Sequence, residues 1–123
     1  MKVEATINLE SLVIEIQQAG QEWIEAKLRS DQLEDGEKNF LAALINSLDD
    51  AMKGQKVSET KLERLARGSA DFREYVTGKC CAIAETARKR VRYESLRDLF
   101  EARRSEFAFE RAKLEKGIYH IGQ

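Results

Sequence analysis

Between Lys61 and Leu114 the chain has no proline and only two glycines, Gly68 and Gly78, among many Ala, Glu, Lys, Arg and Leu residues. These side chains lose little freedom in a helix, so the stretch reads as one very long helix. Its middle, Ala87 to Arg104, is strongly basic and interleaved with Val91, Tyr93, Leu96, Leu99 and Phe100. A helix of that length takes most of its stability from packing an apolar edge. The rest of the chain, or a second copy of it, must supply the cover.

Taken in order, residues 2–7 alternate polar and apolar, as does Gly117-Ile118-Tyr119-His120-Ile121-Gly122. They read as a short strand and its partner, or as two frayed ends. Asn8 can cap a helix beginning at Leu9. Apolar residues then recur at helix spacing through Leu12, Ile16, Ala19, Trp23 and Ala26, and again through Leu33, Phe40, Leu44 and Leu48. Ser30 and Glu37 fall where that edge wants apolar groups, and Asp35-Gly36 offers a break. The frame resumes in phase, which favours one helix over about 9–53, kinked if anywhere near 30–36. Gly54 suits the left-handed residue that ends helices, and Ser58 caps the next one, with Glu59 in its first turn.

The second helix, about 59–116, carries Leu62, Leu65, Ala66, Ser69, Phe72, Val76, Cys80, Ile83, Ala87 and Val91 on one edge. The frame shifts near Tyr93 and resumes with Leu96, Leu99, Phe100, Arg103 and Phe107. The expected fold is all-α: a single elongated domain of two long antiparallel helices in a coiled-coil-like hairpin, with short terminal segments at 1–8 and 117–123. The second helix is the longer, so its basic C-terminal end lacks a partner in its own chain. A homo-oligomer follows, with Trp23, Phe72, Val76, Ile83, Val91, Leu99, Phe100 and Phe107 as its seam.

Composition agrees. The chain is 42% hydrophobic and 35% charged, above the usual quarter charged, which suits long helices with a narrow buried seam. The net charge of −1 hides a balance of −5 over residues 1–57 and +4 over 58–123. Either the basic half meets an anionic partner, or the two halves pair with each other. Cys80 and Cys81 are adjacent, so they form neither a CxxC motif nor a disulfide framework; one faces inward and one sideways, as reduced thiols. No apolar run reaches membrane-spanning length, and the first residues lack a signal-peptide core. The expectation is a cytoplasmic protein without membrane contact.

No enzymatic constellation is visible. His120 is the only histidine and has no carboxylate spaced as a co-ligand; Ser58, Ser69 and Ser95 have no activating base. Arg67-Gly68-Ser69-Ala70 lacks the spacing and lysine of a phosphate loop. A non-enzyme with no cofactor and no metal is expected. The cations stand out instead. Lys79, Arg88, Lys89, Arg90, Arg92 and Arg97 are opposed over their span only by Glu85 and Glu94, and Arg103 and Arg104 continue them. Such cations can neutralise the phosphates of a nucleic acid, with bases stacking on guanidinium planes or on Tyr75 and Tyr93; Trp23 lies on the packing edge. The competing account is a solvated helix face with pairs such as Glu85–Lys89 and further pairing to the acidic first helix. A helical adaptor, scaffold or inhibitor would then be the function.

Glu22-Trp23-Ile24-Glu25-Ala26-Lys27, Lys61-Leu62-Glu63-Arg64-Leu65-Ala66 and Arg88 through Arg104 resemble segments of small all-helical proteins of phages and prophages. The chain is similar, over Glu22 to Glu106, to UvsY-type recombination mediators. That resemblance implies an oligomer that binds single-stranded DNA and helps load a strand-exchange recombinase. Its implied partners are itself, single-stranded DNA, and a recombinase or single-strand-binding protein.

Overall fold

The computed structural model describes the backbone of residues 2–121 and the side chains of residues 9–117. Three helices follow one another: α1 (Lys2–Ala51), α2 (Glu59–Arg67) and α3 (Ala70–Ile121). No strand occurs among the described residues. The alternation at 2–7 is therefore helical, and α1 starts six residues before the expected cap at Asn8; the helical pattern of the neighbouring residues overrides a period-two signal that has no paired strand. At the other end α3 runs on to Ile121, and the last two residues lie outside the described part.

α1 passes through Ser30 and Gly36 as one helix. Gly54, with φ 92°, is the only residue of positive φ among those described and turns the chain after α1. Ser58 caps α2, its Oγ accepting the Lys61 N–H at 3.2 Å. The long second helix is broken where continuity was expected. Gly68 ends α2, donating its N–H to the Arg64 carbonyl at 3.1 Å. Ser69 then opens α3: its Oγ accepts the Phe72 N–H at 3.2 Å and donates to the Ala66 carbonyl at 2.6 Å. A short hydroxyl side chain offers the backbone an alternative to the helical ladder, and the preceding glycine adds nothing to hold the ladder together.

Two compact units divide the chain. In the unit Ile24–Ala87, α1 contributes Ala26, Ser30, Leu33, Glu37, Phe40, Leu44 and Leu48 to a buried or half-buried stripe, and α3 contributes Phe72, Tyr75, Lys79, Ala82 and Thr86. Steps of three and four alternate on both helices apart from the last step on α1, the spacing of a two-helix seam. Two of the polar seam residues on α3 have hydrogen-bond partners for their side chains. The Lys79 ammonium meets Glu37 Oε1 at 3.0 Å, and Thr86 donates to the Ala82 carbonyl at 2.9 Å. Leu62 and Ala66 bury the inner face of α2, at 4% and 0% exposure.

Gly36 is a close-approach residue, not a break. A Cβ there would stand 2.9 Å from Tyr75 Oη, which donates to the Leu33 carbonyl at 2.6 Å. Gly36→Ala should therefore change little or destabilise, because the helix gain of about 1 kcal/mol is offset by displacing that hydroxyl. In a Tyr75→Phe background the same change should stabilise by about 1 kcal/mol. Urea melts of the four proteins check the reversal.

In the other unit, built from the chain up to Trp23 and from Arg88 onward, Leu9, Leu12, Ile16, Ala19 and Trp23 face the α3 stripe Lys89, Tyr93, Leu96, Phe100, Arg103 and Phe107. The stripe runs through Tyr93 without the expected shift.

Candidate nucleic-acid interface

The seam register on α3 decides which cations are free. Lys79 and Lys89 occupy seam positions, while Val76 is half-buried and Cys80, Cys81, Ile83, Ala87 and Val91 are exposed. The expected edge is thus rotated about one residue from the true one, and neither thiol faces inward. Of the residues expected to form an oligomer seam, Trp23, Phe72, Phe100 and Phe107 sit in the stripes described above. Ile83, Val91 and Leu99 point outward at 40%, 62% and 42% exposure.

Lys79 is committed to Glu37, and that hydrogen bond raises its pKa against the opposing effect of burial. A raised lysine pKa contributes stability that is fully present below the ordinary value of about 10.4. It is lost as pH rises through the higher folded value. Because the pair lies partly buried in the seam, Lys79→Leu alone should lower the unfolding midpoint by stranding Glu37. Glu37→Leu with Lys79→Leu should raise it above the parent. Thermal melts of the single and double variants check the opposite signs.

Lys89 and Arg92 converge on one carboxylate. Glu22 Oε2 accepts from Lys89 Nζ at 3.1 Å and from Arg92 at 3.2 Å, in place of the expected Glu85–Lys89 pair. Glu22 thus offsets one of the two positive charges on this edge of the unit.

The opposite edge is different. Arg90, Arg97 and Arg104 recur every seven residues, placing one guanidinium about every 10.5 Å along α3. Arg90 lies 5.9 Å from the Trp23 ring centroid and bonds Glu94 Oε1 at 2.9 Å. Arg97 lies 5.8 Å from the Tyr93 ring centroid. The rings themselves are tilted together, 5.4 Å between centroids. Gly20 lets Tyr93 in, since a Cβ there would stand 3.1 Å from its ring. Among the described residues no carboxylate of α1 pairs with these arginines, and Arg88, Arg97, Arg103 and Arg104 form no ion pair; Arg103 is half-buried in the stripe. The single exposed ion pair on this edge, Arg90–Glu94, is of the kind that contributes little.

The chain matches no family model, no curated protein and no solved structure.

At about 100° per residue Arg90 and Arg97 fall on one strip with Glu94, apart from Arg88 and Arg92 on another, but the sequence does not say which strip faces α1. The signal was present in the seven-residue recurrence of Arg90, Arg97 and Arg104, but it means something only once the seam register is known. Tyr75, a stacking candidate, is stacked instead on Phe40 at 4.5 Å and 19°. The side chain of His120 lies outside the described residues. No group of three His, Cys, Asp or Glu could hold a metal among the described residues, and no helix there is long and apolar enough to cross a membrane.

Proposed function

We propose that the chain is a non-enzymatic helical protein that binds single-stranded DNA as an oligomer, along the Arg90–Arg97–Arg104 edge. The observation that carries this reading is the asymmetry of the two edges beside the Tyr93 seam. On one, Lys89 and Arg92 are tied to Glu22 of α1. The other presents arginines at a regular interval with no ion pair to α1 among the described residues, two of them over aromatic rings and Arg90 bonded only to the exposed Glu94. Guanidinium groups beside aromatic rings still carry N–H donors available to phosphate oxygens. Repetition of the column in an oligomer multiplies weak individual contacts. The likeness to recombination mediators extends the reading to an accessory role in phage-type recombination, handing the bound strand to a recombinase.

A second reading is a protein-only adaptor, scaffold or inhibitor. It is favoured by the ion pairs that set Lys79, Lys89 and Arg92 against carboxylates of α1. Anisotropy of a labelled oligonucleotide over a salt series separates the two. Strand binding through three phosphate contacts gives a log K that falls with log salt at a slope of about 2, at 0.7 per contact. A flat signal at low salt leaves the adaptor.

A further inference from the structure

An open groove of about 460 Å³ lies in the unit Ile24–Ala87, lined by Phe40 and Leu44 of α1 and by Asp71, Glu74 and Tyr75 of α3. Its floor is preformed. The Phe40 and Tyr75 rings stack at 4.5 Å, and the Tyr75 hydroxyl is fixed on the Leu33 carbonyl. Its rim is acidic. Asp71 and Glu74 are exposed, belong to no ion pair among the described residues, and stand three residues apart on one helix, so they share a face. An aromatic floor under two carboxylates fits an occupant that is apolar in the middle and cationic beside it.

The chain carries such a segment. Every residue of α3 from Ala108 to Gly117 is exposed, although Phe109 and Leu114 are apolar, at 66% and 52% exposure. Phe109, Lys113 and Lys116 follow at steps of four and three, which puts them on one side of the helix. Lys113 Nζ lies 5.4 Å from the Phe109 ring centroid. Neither lysine belongs to an ion pair among the described residues. Lys113 and Lys116 repeat the three-residue spacing of Asp71 and Glu74.

We propose that the groove receives this segment from a second copy of the chain, Phe109 lying against Phe40 and Tyr75 while the two ammonium groups meet Asp71 and Glu74. The inference rests on the oligomeric reading above and names the contact that builds the oligomer. Groove and segment are different surfaces, so the association is head-to-tail. It closes into a ring or continues as a filament according to the rotation between copies.

Sedimentation velocity of the full chain at low salt, over a hundredfold range of concentration, tests it. The mass should exceed one chain, rise with concentration and fall on adding salt. Asp71→Lys with Glu74→Lys should return the protein to a single-chain mass, and so should Lys113→Glu with Lys116→Glu. All four changes together should restore association to within about threefold of the parent, because the charges are exchanged and not lost. Phe109→Ala should weaken it with no such rescue. All these positions are exposed, and circular dichroism confirms unchanged helicity. A parent that stays a single chain throughout overturns the proposal. So does association that survives both reversals, or a fourfold variant that remains dissociated. The oligonucleotide titration keeps the two readings apart. A protein that associates but ignores DNA sinks strand binding alone, and one that binds DNA as a single chain sinks this contact and the oligomeric part of the reading while leaving strand binding.

Discussion

Arg90→Glu, Arg97→Glu and Arg104→Glu together should reduce affinity for a single-stranded oligonucleotide by at least ~100-fold at low salt. Three phosphate contacts at 0.7 each account for a salt slope of about 2, which should vanish with them. Reversing the charge also adds repulsion along the strand's path, so the loss exceeds that of neutral substitutions. The control is built into the opposite edge. Lys89→Gln with Arg92→Gln removes two cations already held by Glu22 and should cost less than about tenfold. Equal losses for the two sets would mean that binding follows net charge and not the arginine column. Anisotropy at matched salt, with helicity monitored, gives the comparison.

Phe72→Ala should destabilise the fold by about 3 kcal/mol, near the lower end for removing a buried phenylalanine. Phe72 is 7% exposed, and its own N–H is the one that Ser69 Oγ receives at the start of α3. The substitution therefore opens a cavity where the chain has just changed direction. Against a typical stability of about 5–15 kcal/mol, that loss is large. Phe109→Ala supplies the contrast: at 66% exposure it should change the stability of the single chain by less than about 0.5 kcal/mol. Urea denaturation of both variants, at concentrations where the chain is not associated, checks the difference.

The period of α1 was legible because its seam is mostly Leu, Ile, Ala and Phe, and because Ser30 and Glu37 are isolated exceptions within a frame that stays in phase. α3 misled for the opposite reason. Its true seam holds Lys79, Thr86, Lys89 and Arg103, whereas Val76, Cys80, Ile83, Ala87 and Val91 form a cleaner apolar row beside it. A reading weighted by hydrophobicity takes the cleaner row. Lys79 and Lys89 are tolerated there because Glu37 and Glu22, 42 and 67 residues away, stand opposite them. Glu37 in the α1 seam was itself the available clue, since a half-buried carboxylate asks for a cation in the facing register. The break at Ser69 was legible as well: Gly68-Ser69-Ala70-Asp71 carries a cap and an acidic first turn. Ser69 also falls in phase with the apolar edge on either side of it, which hides the cap. The arginine column inherited the register error, because which cations are spent and which remain depends on the face turned inward.

The ties between α1 and α3 also differ in the length of chain they enclose. In the unit Ile24–Ala87 the Tyr75–Leu33 and Lys79–Glu37 bonds each span 42 residues, whereas Lys89 and Arg92 reach Glu22 across 67 and 70. Closing the shorter loop costs less entropy, by about 0.4 kcal/mol on a logarithmic dependence. It is nested inside the longer one and lies nearer Gly54 and the α2 cap. Assembly of the native state is therefore expected to start around the turn and to reach the Glu22 ties last. In the same order, transient opening of the folded protein should release the segment that carries the arginine column before the segment that holds the groove.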